Sequence, residues 1–304
     1  MVLCVGEIIL DMSGKESEDG SSIVFDSHAG GAPLNVACQM AKLGFDSAVL
    51  GSVGDDVAGR FLVGYAKRIG LKQSYLSVLE DRNTTLAFVS HDRNGDRDFS
   101  FYRKRTADTK LKEVDLDFLS RFSMVHIGSM MLSEESGLRY ALSLIDKARV
   151  LKIPVSFDVN YRKDIYPDEM TALKRSKEVI EQADIVKFSK DEMELFKEDY
   201  VYGLAKSRRV FITDGSRGSA YFYRDSSVSA PTFNVHPVDT TGAGDSFYGA
   251  VLGFLDREKE DFDHKVKEHL LFANACGALT TLKLGAIDGM PDLKQVQAFL
   301  KEHR

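Results

Sequence analysis

Near the carboxyl end the chain reads Asp239-Thr-Thr-Gly-Ala-Gly-Asp245, two carboxylates bracketing hydroxyls and small residues. The apolar run that follows has a helical pattern, so the small residues sit at a helix N-terminus. There the leading N–H groups lack intrahelical partners and the helix dipole is positive, while Gly242, Ala243 and Gly244 let an anion approach the main chain closely. Such a hole suits a phosphoryl group in transfer. Asp245, in the first turn beside it, is placed to take a proton from a hydroxyl nucleophile. Because phosphoryl transfer has a loose transition state, aim matters more here than a strongly raised pKa. The same residues also suit a plain helix cap and a tight turn, and the segment alone does not choose between them. The chain has no Gly-x4-Gly-Lys-Ser/Thr loop, and Phe247 stands where a dinucleotide fingerprint needs Gly or Ala.

A second segment, His28-Ala-Gly30-Gly31-Ala-Pro33-Leu-Asn35-Val-Ala37, leads from a strand into a helix, with Pro33 suited to a first helical position. Gly30 and Gly31 let a small polar ligand reach the main chain, and Asn35 both donates and accepts. A strand-to-helix turn with a buried Asn is the alternative. Asp11, at the end of the first apolar run, is an acceptor suited to hydroxyls at the edge of a parallel sheet. Gly51-Ser-Val-Gly54-Asp-Asp56 reads as a strand end before a capped helix and carries no chemistry.

Short apolar runs over 1–10, 47–53, 124–127, 154–157, 185–188 and 210–213 alternate with helical patterns over 33–43, 58–69, 136–151, 169–182, 244–256, 264–283 and 292–301. Runs buried on both faces and separated by helices predict a mostly parallel sheet with helices on each side. Strands over 21–27, 85–91 and 96–103, the last two joined by the turn Asp92-Arg-Asn-Gly95, break this alternation. They predict a small antiparallel sheet over the carboxyl ends of the parallel strands, a lid of about 12–28 and 84–106 on a single domain of 1–304.

The chain has 304 residues, 43% hydrophobic and 28% charged, the balance of a globular protein with a full core. A net charge of -6 argues against nucleic acid or an anionic membrane surface as partner. Cys4, Cys38 and Cys276 lie apart with no metal-ligand spacing, and His28, His91, His126 and His236 are scattered singly. The apolar N-terminus meets Glu7 and Asp11 too early for a signal peptide, and no run approaches a membrane span. A reduced cytoplasm is the expected location. Tyr221-Phe222-Tyr223 reads as sheet packing.

Taken together, the two glycine segments, about 200 residues apart, resemble the paired signatures of the ribokinase-like (PfkB) carbohydrate kinase family. Gly30 to Ala37, with Gly44 and Gly54 beyond, is similar to the first; Asp239 to Asp245, with Gly249-Ala250 downstream, to the second. Phe101-Tyr-Arg103, Ala107-Asp108, His126-Ile-Gly-Ser129, Phe157-Asp-Val-Asn160-Tyr-Arg162, Ala183-Asp-Ile-Val-Lys187, Asp191-Glu192, Thr213-Asp-Gly215 and Gly277-Ala-Leu-Thr-Thr281 resemble words of its fructokinase-like branch. The resemblance implies an α/β ribokinase-like three-layer sandwich with a β lid, phosphorylating a sugar hydroxyl with ATP and Mg2+. It makes Asp245 the base and Gly242 to Gly244 the anion hole. Asp11, Gly31, Asn35, Tyr102, Arg103, Asn160 and Arg162 would hold the sugar. Ser189, Glu192, Thr213, Gly215 and Asn274 would line the nucleotide site. Asp239 and Thr241, with carbonyls near Thr280, Lys283 and Gly285, would hold K+.

Val159 stands where the branch has Pro, Ser189 where many members have Asn, and Lys104-Arg105 where a neutral pair is common. The resemblance favours fructose, phosphorylated at its 6-hydroxyl. Arg103, Lys104, Arg105 and Arg162 place up to four cations on the acceptor side, which suits a sugar acid such as 2-keto-3-deoxygluconate. A sugar or nucleotide sensor without catalysis would not need Asp245. Exposed lid strands invite a partner and hence a homodimer.

Overall fold

The structure is a computed structural model and describes residues 1–17, 19–91 and 97–303. In β1 (Val2–Val5), Val2 and Cys4 face one hydrophobic core while Leu3 and Val5 face another, the two-residue period of a strand between two helix layers. The chain turns at Gly6, φ 151°, where a Cβ would stand 2.8 Å from the Pro33 ring. Beyond it β2 (Ile9–Glu16) leaves the large sheet and pairs with β3 (Ile23–Gly30). The single strand expected over 1–10 is therefore two, and Asp11 belongs to the second.

The alternation then sets in with α1 (Ala32–Lys42), β4 (Ser47–Gly54), α2 (Val57–Arg68) and β5 (Gln73–Leu79). β6 (Leu86–His91) and β7 (Arg97–Tyr102) return to the small sheet. The turn expected at Asp92 to Gly95 lies outside the described residues. After these come α3 (Leu116–Leu119), β8 (Met124–Ile127), α4 (Glu135–Leu151), β9 (Val155–Asp158), α5 (Glu169–Ile180) and β10 (Ile185–Ser189). The chain continues through α6 (Lys190–Phe196), α7 (Glu198–Leu204), β11 (Arg209–Thr213), β12 (Ser219–Tyr223) and β13 (Ser226–Ala230). It closes with α8 (Ala243–Glu258), α9 (Val266–Thr280), α10 (Ala286–Gly289) and α11 (Leu293–Glu302).

The large sheet has nine strands in the order β13-β12-β11-β10-β9-β8-β1-β4-β5. β11 to β5 run parallel, and β12 and β13 antiparallel at one edge. Helices α1, α2, α8, α9 and α11 bury their apolar stripes in one core; α3 to α7 cover the other face. This is the three-layer α/β sandwich expected. β5 and β13, outside the expected strands, are edge strands with one solvated flank, so polar residues interrupt their apolar runs. Tyr221 is fully buried in β12, as sheet packing requires. Among the described residues no helix is long and apolar enough to cross a membrane.

The small sheet has the order β3-β2-β6-β7. The expected antiparallel pairing holds for β2–β3 and β6–β7, whereas β2 and β6 run parallel. Asp11, Ala87 and Phe101 are register partners on one face; Met12 and Phe88 lie on the other, and Tyr102 pairs with Leu86 beside them.

Glycines set the spacing of α1 and α8. A Cβ on Gly249 would lie 2.9 Å from the Val36 carbonyl oxygen, and one on Gly253 2.2 Å from the Phe45 ring. α8 thus lays bare backbone against α1 and the turn after it, and the two helix N-termini, each preceded by one of the glycine segments, come side by side.

Candidate active site

That pairing brings Asn35, in the first turn of α1, to Asp245, in the first turn of α8: Asn35 Nδ2 donates to Asp245 Oδ2 at 2.8 Å. Deeper between the helices Ser246 Oγ donates to Gln39 Oε1 at 2.8 Å. Asp245 is held by a neighbouring side chain rather than spent on capping its own helix, whose N-cap, Gly242, makes no side-chain bond. Gly242 adopts φ 77°, a left-handed turn that favours glycine, and a Cβ there would press within 2.6 Å of Ala286 Cβ.

Two cavities meet at this helix end. One, of about 310 Å³, lies under the small sheet and is lined by Glu7, Asp11, Phe101, Asn160, Arg162 and Asp245, among others. The other, of about 520 Å³, runs outward between β11 and α9, past Thr213, Gly215, Phe233, Phe247 and Asn274. Thr240 and Gly244 line both. An anion at the start of α8 thus faces one cavity on each side. Both volumes fall within or near the range of small-molecule sites.

The electrostatics favour a negative guest at the junction and a hydroxyl-bearing guest under the small sheet. Lys187, in β10, reaches to within 3.5 Å of where a Cβ on Gly244 would stand. Its ammonium lies 2.9 Å from both carboxylate oxygens of Asp158, its register partner at the end of β9. Burial alone would depress the lysine, but the charges of Asp158, Glu192 and Asp245 outweigh it and hold Lys187 above its ordinary range. Asp245 itself is pushed up by burial, against the Asn35 hydrogen bond and the pull of Lys187 and Arg162. Burial, then the charge of Asp245, push Asp11 up to about 7, while His28 and Arg162 draw it down. The Asp11 carboxylate lies flat on the chain at Gly30, where a Cβ would be 2.1 Å from Oδ2.

Of the residues expected to hold a sugar, Asp11, Gly31, Asn35, Asn160 and Arg162 line the inner cavity. Asn35 spends its amide on Asp245, and its buried Oδ1 has no partner among the described residues. Asn160 takes a left-handed backbone, φ 34°, and its carbonyl accepts from Ser129 Oγ at 3.1 Å. Tyr102 does not line the cavity: strand alternation turns it to the outer face, 67% exposed against Phe88, and puts Phe101 inside. Arg103 is also absent from the lining. Its side chain is buried, with Nε 2.6 Å from Asp108 Oδ2 and Nη1 donating to Ser133 Oγ at 2.5 Å, which ties the end of β7 to the segment after β8. Lys104 and Arg105 are exposed. Of the four cations expected on the acceptor side, only Arg162 lines the cavity.

On the outer side Thr213, Gly215 and Asn274 line the larger cavity. Asn274 Nδ2 donates to the carbonyls of Ala230 and Pro231 at 3.1 and 2.9 Å, holding the chain that forms the far wall. Ser189 and Glu192 line neither cavity. Each caps the other at the start of α6, and Glu192 also accepts from Tyr161 N at 2.7 Å. That capping box turns the carboxylate back onto backbone amides.

The segments expected to hold a cation do converge. Val238 N and Asp239 N donate to Thr281 O at 2.7 and 3.1 Å, and Asp239 accepts from Thr241 N at 2.8 Å and from Gly285 N at 2.9 Å. Thr280 ends α9, its carbonyl 2.4 Å from where a Cβ on Gly289 would stand, with the Lys283 carbonyl 3.6 Å from the same point.

Lys187 and Phe101, which stand in words that resemble the family's but carry no expected role, and Glu7, which stands in none, are cavity residues. The available signal for Lys187 and Glu7 is a charge inside an apolar run, Ile185-Val-Lys187-Phe188 and Val5-Gly-Glu7-Ile8. Glu7 is fully buried and pushed up to about 7, chiefly by burial; Oε1 accepts from Ala32 N at 3.1 Å and Oε2 has no partner among the described residues.

Known proteins share this arrangement. The profile of the pfkB family carbohydrate kinases matches residues 1–293. A probable fructokinase-5 of Arabidopsis thaliana is 35% identical over 315 aligned residues, spanning 99% of this chain and 97% of that protein. The fructokinase from Xylella fastidiosa with bound ATP superimposes with a TM-score of 0.88 at 28% identity, covering 99% of this chain and 98% of that one. A double mutant of the Vibrio cholerae O395 fructokinase, in a form with fructose, ADP and potassium ion bound, does so with a TM-score of 0.84 at 25% identity, covering 98% and 97%. With its whole sheet, both glycine segments and all but the last residues within that profile, the chain belongs to the pfkB family of carbohydrate kinases.

Proposed function

We propose that the chain phosphorylates fructose at its 6-hydroxyl with ATP, with Asp245 as general base. The observation that carries the reading is the junction at Gly244: the only carboxylate in the first turn of α8 faces the inner cavity, where that turn also borders the outer one. Fructose occupies the inner cavity against Asp11, Asn35, Asn160 and Arg162; the nucleotide lies in the outer one along Thr213, Gly215 and Asn274. Asp245 accepts the proton of the attacking hydroxyl as the new O–P bond forms. The bond from the γ-phosphorus to the bridging oxygen breaks, and ADP leaves. Charge on the phosphoryl oxygens is met by the N–H groups at Gly242 to Gly244 and by the Lys187 ammonium.

A neutral acceptor is supported by the cavity's charges. Glu7, Asp11 and Asp245 line it against Lys187, already paired with Asp158, and Arg162. Among the described residues lining the cavity, a sugar carboxylate would find Arg162 as the cation outside the Lys187–Asp158 pair, beside three acids. Mg2+ would arrive on the ATP phosphates and keep much of its water, on the side of Lys187 where Glu192 lies. The carbonyl-rich junction of Asp239, Thr241, Thr280, Lys283 and Gly285 fits K+, which would steady the anion-hole loop.

The small sheet, roughly residues 12–28 and 84–106, acts as a lid on a single kinase domain. A homodimer through that sheet is supported by its outer face, where Phe88 packs edge-on against Phe25 and Tyr102 at ring separations of 5.1 and 5.0 Å. A cytoplasmic location is supported by Cys4, Cys38 and Cys276, all buried thiols without a disulfide. The test is ADP release with ATP and magnesium over fructose, ribose, tagatose, 2-keto-3-deoxygluconate and nucleosides. Fructose should give the highest kcat/KM; a sugar acid turned over with much higher specificity than fructose would overturn the acceptor.

A further inference from the structure

One contact under the small sheet is not used by the chemistry above. His28 is the register partner of Asp11, so the imidazole and the sugar-side carboxylate ride on the same face of the β2–β3 pair. The ring reaches across to the segment that opens α10. Nδ1 donates to Asp288 Oδ2 at 2.8 Å, and the Gly285 backbone lies so close that a Cβ would stand 2.9 Å from Nδ1 and 3.2 Å from Cγ.

From there two links lead to the anion hole. Gly285 N donates to Asp239 Oδ2 at 2.9 Å, and Asp239 Oδ1 accepts from Thr241 N at 2.8 Å. Ala286, next in the chain, fills the space beside Gly242, 2.6 Å from where a Cβ would stand. Elsewhere α10 is pinned to the large domain: Lys42 Nζ donates to the Ile287 and Met290 carbonyls at 2.6 and 2.9 Å, and Tyr65 Oη donates to Asp288 Oδ1 at 3.4 Å. Among the described residues, His28 and Asp288 form the side-chain hydrogen bond that joins this braced segment to the sheet carrying Asp11.

Its worth is not stability. The contact is partly solvated, with side chains 26% and 53% exposed, and exposed polar pairs of this kind add little to folding. What the ring supplies is position, because a backbone packed against it cannot follow a different placement of β3 without moving.

We propose that His28 is a positioning residue that couples the sugar side to the anion hole, so that sugar seated on Asp11 fixes 285–286 and tightens the nucleotide's phosphate site. The coupling is reciprocal, as any such linkage must be. The inference rests on the placement of sugar at Asp11, and its test separates the two. The Kd of AMP-PCP is measured by calorimetry with and without a saturating concentration of whichever sugar of the acceptor panel the wild type phosphorylates.

Wild type should bind AMP-PCP about 5-fold or more tightly with sugar present, the low end of ordinary coupling. In His28→Ala the ratio should fall to less than about 2-fold, Asp288→Asn should do likewise, and the double variant should lose no more than either alone. Hydrogen exchange of residues 283–289 should slow on adding sugar in wild type and not in His28→Ala. Should His28→Ala not fold, Asp288→Asn and His28→Asn carry the same comparison. A wild-type ratio retained in these variants, or an active wild type with no coupling, overturns the proposal. Absence of turnover on every sugar overturns the sugar reading instead.

Discussion

Raising the pH from about 6 to about 9 should tighten fructose binding, because Asp11 ionises within that range. Burial, and then the charge of Asp245 across the same cavity, push the Asp11 carboxyl up to about 7. In the proposed reading it accepts a hydrogen bond from the sugar, which the carboxylate does better than the acid. At pH about 6 roughly one Asp11 in ten is ionised, so the fructose KM should stand about 10-fold above its value at pH 9, with the inflection near 7.

Stability should move the other way. A carboxyl whose folded pKa exceeds its unfolded value of about 3.9 keeps in the native state a proton that the unfolded chain has lost, so stability falls as pH rises from about 4 to about 7. A shift of about 3 units sets a ceiling of about 4 kcal/mol. Asp11 keeps some solvent contact, so a loss of about 1–2 kcal/mol is the expectation. Asp11→Asn should therefore unfold at higher urea than wild type at pH about 8, match it near pH 4.5, and show a fructose KM that is high and flat with pH. The assays are steady-state kinetics across the pH range and urea titration at its two ends. A wild-type KM flat from pH 6 to 9, or the same inflection in Asp11→Asn, would refute the assignment of that carboxylate to the sugar.

Gly242→Ala should cost about 1–3 kcal/mol and most of the activity, since φ 77° and the Ala286 contact both resist a Cβ; thermal unfolding and kcat measure the two losses. Lys187→Met leaves Asp158 buried without its cation and should destabilise by about 3–5 kcal/mol. Adding Asp158→Leu should recover stability but not turnover, because the phosphoryl charge would still lack the ammonium; recovered turnover would confine Lys187 to a structural role.

How much of this was readable beforehand follows from which forces act locally. The parallel strands and their helices were legible because burial on both faces writes continuous apolar runs, and the helix covering them writes a 3.6-residue stripe, as in Leu138, Ala141, Ile145 and Ala148 of α4. The two glycine segments were legible because close backbone approach restricts residue type. The break after Val5 was not, since Gly6 ends one apolar run and Ile8 begins another with no polar residue but Glu7 between them. Tyr102 and Phe101 are neighbours of similar type, and only the strand register decides which faces inward. The family resemblance gives Arg103 to the ligand, yet Asp108 takes it, a choice made by tertiary contact. Lys187 stands in a family word without a role and Glu7 in none, yet both carry the same signal: a charge within an apolar run needs a partner or a function.

Asp245→Asn tests the central assignment most directly. The substitution keeps the size of the side chain and can still accept from Asn35 Nδ2, so binding should survive while proton acceptance is lost. In rapid-quench single turnovers with ATP, magnesium and fructose, phosphoryl transfer should slow by about 10²–10⁴-fold with fructose binding little changed. A rate within about 10-fold of wild type would contradict Asp245 as the base, whatever the sugar proves to be.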